Sequence, residues 1–171
     1  MNNYRPISIL PTLNKVFEKT LKSRLMNFLD MNDFFNCRQY GFRAHSGTTV
    51  SASDVLEKIY DGIDDKNVVT GLFIDFSKAF DTVRHDILLK KLENCGIRGR
   101  VLELFQDYFH DRRQYVCFNE TRSLYQTVKC GVPQGSCLGP ILFLIYVNDI
   151  KRVSIHGSLF LFADESGIFY E

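Results

Sequence analysis

Three acidic side chains stand where short apolar segments end, and they are the residues best placed for chemistry in this sequence. Asp75 closes the run NVVTGLFID (67–75), and Asp164 and Glu165 lie in the turn of SLFLFADESGIFYE (158–171). A short β-branched apolar run predicts a buried strand, and an unpaired buried carboxylate is costly. Carboxylates that converge from separate strand ends therefore favour a hard divalent cation such as Mg²⁺, which leaves coordination positions for substrate phosphates.

Turn formation is the competing interpretation of these carboxylates. A lone aspartate at a strand end is most often a turn former, because its side chain bonds to nearby backbone. Two such sites are more informative than one, yet residue type and spacing leave both interpretations open. The odd count of five cysteines, with no CxxC pair, argues against both a zinc site and a disulfide framework.

Three other features could serve chemistry or only structure. Phe80, five residues after Asp75, is by itself most simply a core residue, since phenylalanine is common in cores. The loop GVPQGS (131–136) suits an ordinary turn, although its glycines also permit close backbone approach to a ligand. Asp81 has Arg84 and His85 as neighbours, which predicts a structural ion pair.

The segments that must position these residues follow helical and strand periodicities. Apolar spacing predicts a first helix over 12–29, whose inner face includes Leu13, Val16, Phe17, Leu25 and Leu29. Further helices are predicted at 48–60, 85–95, 99–110 and 138–150. Strands are predicted at 67–75, at 113–119 and 124–130 as a hairpin, and at 158–164 and 166–171. Helices mixed with hairpins, without regular βαβ alternation, indicate one domain of the α+β class.

Charge is unevenly distributed along the chain, so the net charge of +1 is a poor guide to partners. Residues 1–50 carry a net +4 and residues 82–130 a net +3, whereas residues 51–81 carry −4 and residues 131–171 carry −2. The near-neutral total averages basic segments that suit a polyanion with acidic segments that hold the candidate cation ligands.

The sequence also indicates the cellular compartment and whether the chain can span a membrane. The N-terminal MNNYRPISIL has an arginine and a proline where a signal peptide needs an apolar run. Unpaired cysteines are typical of a reducing compartment, and no apolar stretch is long enough to span a bilayer. We therefore expect an intracellular protein, in the nucleus, the cytoplasm or both, with no membrane partner.

Several strings resemble a known family when they are taken in order. FIDFSKAFDTVRH (73–85), GVPQGSCLGPILFLIYVNDI (131–150) and FADE (162–165) resemble motifs A, B and C of reverse transcriptases, most closely those of non-LTR retrotransposons. NNYRPISILPTLNKVFEKTLKSRL and QYGFRAHSGTT look like the fingers motifs of that family. The resemblance covers nearly the whole chain. It implies a right-hand polymerase fingers–palm fragment, fingers-like over about 1–66 and palm with interleaved fingers elements over about 67–171.

The resemblance also implies a metal site. In that family the motif A aspartate and the motif C pair hold two Mg²⁺ ions, which stabilise the attacking 3′ oxygen and the leaving pyrophosphate. By resemblance Asp75 and Asp164 are the bridging ligands, Glu165 occupies the second motif C position, and the backbone carbonyl of Phe76 completes the site. The implied cofactor is Mg²⁺, with Mn²⁺ as a substitute.

Nucleotide and template contacts follow from the same resemblance. It makes Phe80 a steric gate against a ribose 2′-OH and places Gln134 and Gly135 on the nucleotide and template. It places Arg5 on the triphosphate and Arg43, the weakest of these assignments, on the template backbone. Ala163 would leave clearance beside the primer terminus. The implied partners are an RNA template, a DNA primer and dNTPs.

This sequence departs from the family at motif C and at its ends. Glu165 stands where the family has a second aspartate, and Mg²⁺ demands near-ideal octahedral geometry. We also expect the thumb to be absent, because the chain stops six residues later. The sequence thus predicts an RNA-directed DNA polymerase domain that is weak or inactive alone. The alternatives are a non-catalytic nucleic-acid-binding or interaction module derived from a retroelement, and a decayed fragment.

Overall fold

The computed structural model describes residues 7–152 and 157–170 of the chain. In these ranges lie the helices α1 (Thr12–Met31), α2 (Thr48–Asp64), α3 (His85–Asn94), α4 (Arg100–Phe109) and α5 (Gly139–Val147). The strands are β1 (Thr70–Asp75), β2 (Arg113–Gln114), β3 (Cys117–Phe118), β4 (Thr121–Arg122), β5 (Gln126–Thr127), β6 (Ser158–Phe162) and β7 (Glu165–Tyr170). Two 3₁₀ turns cover Ala79–Asp81 and Asn148–Arg152. The predicted α+β class and the five predicted helices are confirmed.

α5 forms the centre of the larger hydrophobic core. Its sequence GPILFLIYV has no charged residue, and six of its nine residues are buried. A helix that is apolar all round needs cover on every side. The same core includes Leu88 and Leu92 of α3, Phe105 of α4 and Leu29 of α1, all without solvent exposure. The loop that precedes α5 is therefore anchored to a rigid body.

A three-stranded antiparallel sheet lies beside this core, in the order β1-β7-β6. β6 and β7 form a hairpin, and β1 pairs with β7 in a register that sets Asp75 opposite Glu165. A smaller core of Tyr40, Phe160 and Phe169 packs with half-buried residues of α2. The sheet thus brings the predicted motif A and motif C segments side by side.

Two packing predictions are wrong. Among the described residues β1 is an edge strand with one hydrogen-bonded neighbour, so it is largely exposed rather than buried, and Phe73 is 76% exposed. α1 buries Leu25 and Leu29, but Leu13, Val16 and Phe17 in its N-terminal half are exposed. Apolar composition predicted both elements correctly, whereas the partner that each apolar face meets depends on the tertiary fold.

The hairpin predicted over 113–130 is confirmed in outline. It consists of two short antiparallel pairs, β2 with β5 and β3 with β4, rather than one continuous pair of strands. Within the described ranges, no helix combines the length and the apolar composition that a membrane crossing requires.

Candidate active site

A cleft of about 720 Å³ lies at the end of the sheet where β1 stops. Its lining consists of Asp75–Asp81, the loop Pro133–Ser136, and the side chains of Phe42, Pro140 and Asp164. Predicted site residues from motifs A, B and C therefore share one cavity. The cleft is open enough for a nucleotide-sized ligand.

The sheet register brings the carboxylates to this cleft. Asp75 is the last residue of β1, and the backbone N–H of Phe76 donates to the carbonyl of Asp164 at 3.1 Å. Asp75 and Glu165 are directly opposed across the antiparallel pair, so their side chains lie on the same side of the sheet. Like charges in such a pair are destabilising, and a bound cation offsets that repulsion.

The donors at the cleft are hard oxygens, which fit a hard divalent cation rather than a softer metal. Asp75 and Asp164 line the cavity, and the Phe76 carbonyl already accepts one hydrogen bond, from Ala79 N–H at 3.2 Å. Glu165 is exposed and outside the lining. No group of three His, Cys, Asp or Glu side chains among the described residues is arranged to hold a metal by itself. A cation here would share its coordination with bound phosphates.

The turn that carries Asp164 is clamped by residues 38–41. Gln39 is buried, and its Oε1 accepts hydrogen bonds from the N–H of Ala163 at 3.1 Å and of Gly41 at 2.9 Å. The Tyr40 N–H donates to the carbonyl of Leu161 at 2.8 Å, which continues the contact along β6. Ala163 is buried and has a left-handed φ of 56°, so its conformation depends on this support.

Gly41 is required by close packing against that turn. A Cβ atom at position 41 would lie 2.4 Å from the backbone N of Ala163, a distance that no side chain tolerates. Sequence reasoning quoted QYGF as a motif but assigned no role to Gln39 or Gly41. The only available signal was a glycine two residues after an amide side chain, and it does not identify the partner, which is more than 120 residues away.

Phe80 packs against the core and also lines the cleft, and its role as a steric gate stays a prediction. Its ring stacks on Phe143 of α5 with centroids 4.7 Å apart and meets the edge of Phe42 at 6.1 Å. It is half-buried and also lines the cleft. The core contact fixes the ring on one side, so the other side presents a rigid wall to the cavity.

The predicted motif B loop is bonded to the segment that follows Asp75. Gly131 N–H donates to the carbonyl of Val83 at 2.7 Å, and Val132 N–H donates to that of Phe80 at 2.8 Å. Gln134 Nε2 donates to Asp81 Oδ1 at 2.9 Å. These bonds hold the loop at a fixed distance from Phe80.

The predicted ion pair of Asp81 is wrong. Arg84 pairs instead with Asp86 at 2.7 Å, and His85 Nε2 hydrogen-bonds to the carbonyl of Gly131 at 2.8 Å. Asp81 is the partner of Gln134. Gly135 follows with a φ of 94°, which favours glycine and exposes its backbone to the cleft.

The sequence did not single out Glu18, because it stands among other charged residues of α1 and so looked like a solvent-exposed side chain. It is 1% exposed, and its two carboxyl oxygens accept from Tyr108 O–H of α4 and from Cys137 N–H, both at 2.7 Å. Burial and then the bond to Glu18 raise the pKa of the Tyr108 phenol well above its usual value. Glu18 thus ties α1 and α4 to the residue that follows the motif B loop.

We expect Glu18→Ala to lower the free energy of unfolding by about 3 kcal/mol, because it leaves a buried hydroxyl and a backbone N–H without partners. Glu18→Gln keeps one acceptor oxygen and should cost less. Urea unfolding followed by circular dichroism measures both, with Glu57→Ala on the exposed face of α2 as the control. Equal midpoints for Glu18→Ala and Glu57→Ala would show that the bridge contributes nothing.

Of the two predicted arginines, only Arg43 falls within the described ranges, and it is not among the residues that line the cleft. Arg5 lies outside the described residues. Arg43 donates to the carbonyl of Asn36 at 3.1 Å, lies 3.7 Å from Asp30 and stands over the ring of Phe35. Arg43, Asp30 and Phe35 line a second, separate cavity. A template contact by Arg43 would have to compete with them and stays a prediction.

Comparisons of this chain with known proteins agree with one another. The profile of the family described as reverse transcriptase (RNA-dependent DNA polymerase) matches residues 1–171. The probable RNA-directed DNA polymerase from transposon X-element of Drosophila melanogaster is 36% identical over 98% of this chain and 19% of its own length. The RNA-directed DNA polymerase from mobile element jockey of the same species is 30% identical over 88% of this chain and 16% of its own length. The chain thus spans about a fifth or less of these relatives.

A solved structure shares the fold. Apo telomerase from Candida Tropicalis, truncated from the C-terminal domain, matches 92% of this chain and 34% of its own with a TM-score of 0.66. The sequences are 14% identical, so the likeness concerns the fold alone.

Proposed function

The chain belongs to the reverse transcriptase family, of the non-LTR retrotransposon type and with a fingers–palm fold, and on that premise we propose that it adds deoxynucleotides to a DNA primer under the direction of an RNA template. The observation that carries the proposal is the meeting of Asp75 and Asp164 in one cleft with Phe80 and the Gln134 loop. Aspartate oxygens suit a triphosphate with its metal ion, an aromatic side chain suits a sugar, and a loop with exposed backbone suits a base.

Members of this family use divalent metal ions, and the ion proposed here is Mg²⁺, with Mn²⁺ as a substitute. Asp75, Asp164 and the Phe76 carbonyl would hold it, with Glu165 at the margin. When bound, the ion would stabilise negative charge on the attacking 3′ oxygen and on the leaving pyrophosphate. Through it the carboxylates would position phosphate oxygens, and the buried Ala163 would keep the turn small beside the primer terminus.

The remaining side chains would select and orient the nucleotide. Phe80, braced by Phe143, would stand against the sugar, and Gln134, held by Asp81, would face the base or the template. Arg5 would bind the triphosphate, because a guanidinium holds phosphate oxygens bidentately. The basic segments 1–50 and 82–130 suit the template and the primer.

Exposed thiols at Cys37, Cys117 and Cys130 suit the reducing nucleus or cytoplasm, where we propose that the protein resides.

Primer extension on an RNA template with Mg²⁺ or Mn²⁺ tests the proposal. We expect the wild-type chain to add few nucleotides and to dissociate after each addition. Glu165→Asp should raise the single-nucleotide rate by up to about a hundredfold, because the shorter side chain restores the family's aspartate pair, and an error of about 1 Å at a reacting centre costs on that order.

Two outcomes would count against this reading. If Glu165→Asp leaves the rate unchanged, the longer side chain does not limit catalysis. If neither chain extends a primer but both bind primer–template equally with Mg²⁺ and with EDTA, the non-catalytic binding module explains the protein better. A salt series identifies that binding as electrostatic.

We expect Phe80→Ala to raise incorporation of ribonucleotides relative to deoxyribonucleotides by about 10- to 100-fold. Forcing an extra group against a well-packed side chain costs about 1–3 kcal/mol, and the smaller residue removes that cost. Competition between rNTP and dNTP on one primer measures the ratio. Phe143→Leu serves as the control, since it changes the bracing ring but leaves Phe80 in the cleft. If Phe80→Ala leaves the ratio of ribonucleotide to deoxyribonucleotide incorporation unchanged, Phe80 serves only in packing.

A further inference from the structure

Residues 112–129 form a β-arm that projects from the body of the chain. Its two strand pairs continue one another, and Ser123 is an extra residue between them, bonded through its N–H and its hydroxyl to the backbone of Val116 at 2.9 Å. Every residue from Arg113 to Thr127 is exposed. A two-stranded ribbon with so little burial gains little stability for itself, so its exposed side chains need another explanation.

The arm has two different faces. Side chains alternate along a strand, and the register places Tyr115 opposite Tyr125 on one face, with Arg113 and Arg122 beside them. The tyrosine rings meet edge to face with centroids 5.1 Å apart, and the Arg122 guanidinium lies 5.4 Å from the centre of the Tyr115 ring. The other face carries Val116, Phe118 and Leu124.

The tyrosine–arginine face combines the two groups that single-stranded nucleic acid requires. Exposed aromatic rings stack with bases, and arginines neutralise phosphates and stack as well. Tyr115 and Tyr125 are 40% and 66% exposed, so both rings are accessible. Arg113 pairs with Asp111 in solvent, an interaction weak enough for a phosphate to replace. Between Arg112 and Lys129 the chain carries four basic residues and one acidic residue.

We propose that the tyrosine–arginine face of this arm binds an unpaired segment of RNA or DNA, outside the cleft that holds Asp75 and Asp164. Stacking on two rings makes the contact tolerant of sequence, and charge complementarity distinguishes it from a protein contact, for which the apolar opposite face is better suited. The inference rests on the proposed polymerase function, for which the unpaired part of the template is the natural occupant.

Fluorescence anisotropy of a labelled single-stranded 20-mer, with the whole chain in EDTA, tests this site. We expect Tyr115→Ala/Tyr125→Ala to weaken binding at least about tenfold, and Tyr115→Phe/Tyr125→Phe to retain it within about twofold, because the ring is what stacks. Arg122→Gln should reduce the slope of log affinity against log salt by about 0.7, the loss of one phosphate contact. The matched control is Phe118→Ser/Leu124→Ser on the opposite face, which should bind as the wild type does.

The outcomes separate this site from the cleft. Equal affinity of the Tyr→Ala pair and the wild type would overturn the inference, as would equal losses from the two faces of the arm. Asp75→Asn should bind the 20-mer normally while losing primer extension. If the 20-mer binds through the arm but no variant extends a primer, the arm proposal stands and the polymerase proposal fails.

Discussion

Asp75→Asn is expected to lower the single-nucleotide extension rate by about a thousandfold. Asp75 is one of three carboxylates that line the cleft, with Asp81 and Asp164, and the asparagine is nearly isosteric but has one oxygen and no charge. A cation at a developing negative charge is worth several kcal/mol of transition-state stabilisation, and every 1.36 kcal/mol corresponds to a factor of ten in rate. The measurement is best made in the Glu165→Asp background, where a fall of this size stays within range.

Stability distinguishes lost chemistry from lost folding in this variant. Asp75 faces Glu165 across the strand pair, so removal of one charge relieves a repulsion. We therefore expect the urea midpoint of Asp75→Asn to equal or exceed that of the wild type. Glu57→Gln, an exposed carboxylate on α2, is the matched control and should change neither quantity. Extension at the wild-type rate by a folded Asp75→Asn chain would remove Asp75 from the catalytic site.

Gly41→Ala is expected to have the second-largest effect, although Gly41 lies outside the cleft lining. The added Cβ would stand 2.4 Å from the backbone N of Ala163, so the turn that carries Asp164 has to move. A shift of about 1 Å at the reacting groups costs on the order of a hundredfold in rate, and overpacking costs about 1–3 kcal/mol of stability. Extension assays and urea unfolding measure the two effects.

Gly47→Ala provides the control for that substitution. Gly47 precedes α2 in extended backbone, and a Cβ there meets nothing within 4 Å. Because alanine is a poorer N-cap than glycine, the substitution should reduce stability by up to about 1 kcal/mol, and it should leave extension unchanged. Similar behaviour of the two alanine variants would show that the turn accommodates a methyl group, and the clamp on Ala163 would lose its assigned role.

Much of the fold could be predicted from local patterns. The helix that became α5 and the strands β6 and β7 are short apolar runs, and period and composition determine their type without reference to distant residues. The exposure of β1 could not be predicted, because Phe73 looks the same in sequence whether its strand is central or at an edge. Whether a face is covered depends on which strands pair, which is a property of the whole topology.

The candidate site, like the fold, could be predicted only in part. Asp75, Asp164, Phe80 and Gln134 were predicted from motifs, and the cleft contains all four. The contacts that hold them were not predicted, since Gln39 reaches Ala163 and Glu18 reaches Cys137 across 124 and 119 residues of sequence. Hydrogen bonds of that range leave no periodic signal, and Asp81 shows the risk of choosing the nearest opposite charge as a partner.

The pairing of β1 with β7 has a consequence for the order of events during synthesis. β6 and β7 are joined by a two-residue turn and can pair within microseconds, whereas β1 must wait for a strand that begins 90 residues after Asp75. At 5–20 residues per second the ribosome makes those residues in about 5–20 s. During that interval the apolar β1 has no strand partner, so a chaperone can bind it. Asp75 is then part of the nascent chain while the motif C turn has not yet been made. The two halves of the candidate cation site meet only after translation has passed β7, so the unfinished polypeptide has no means of acting on a nucleotide.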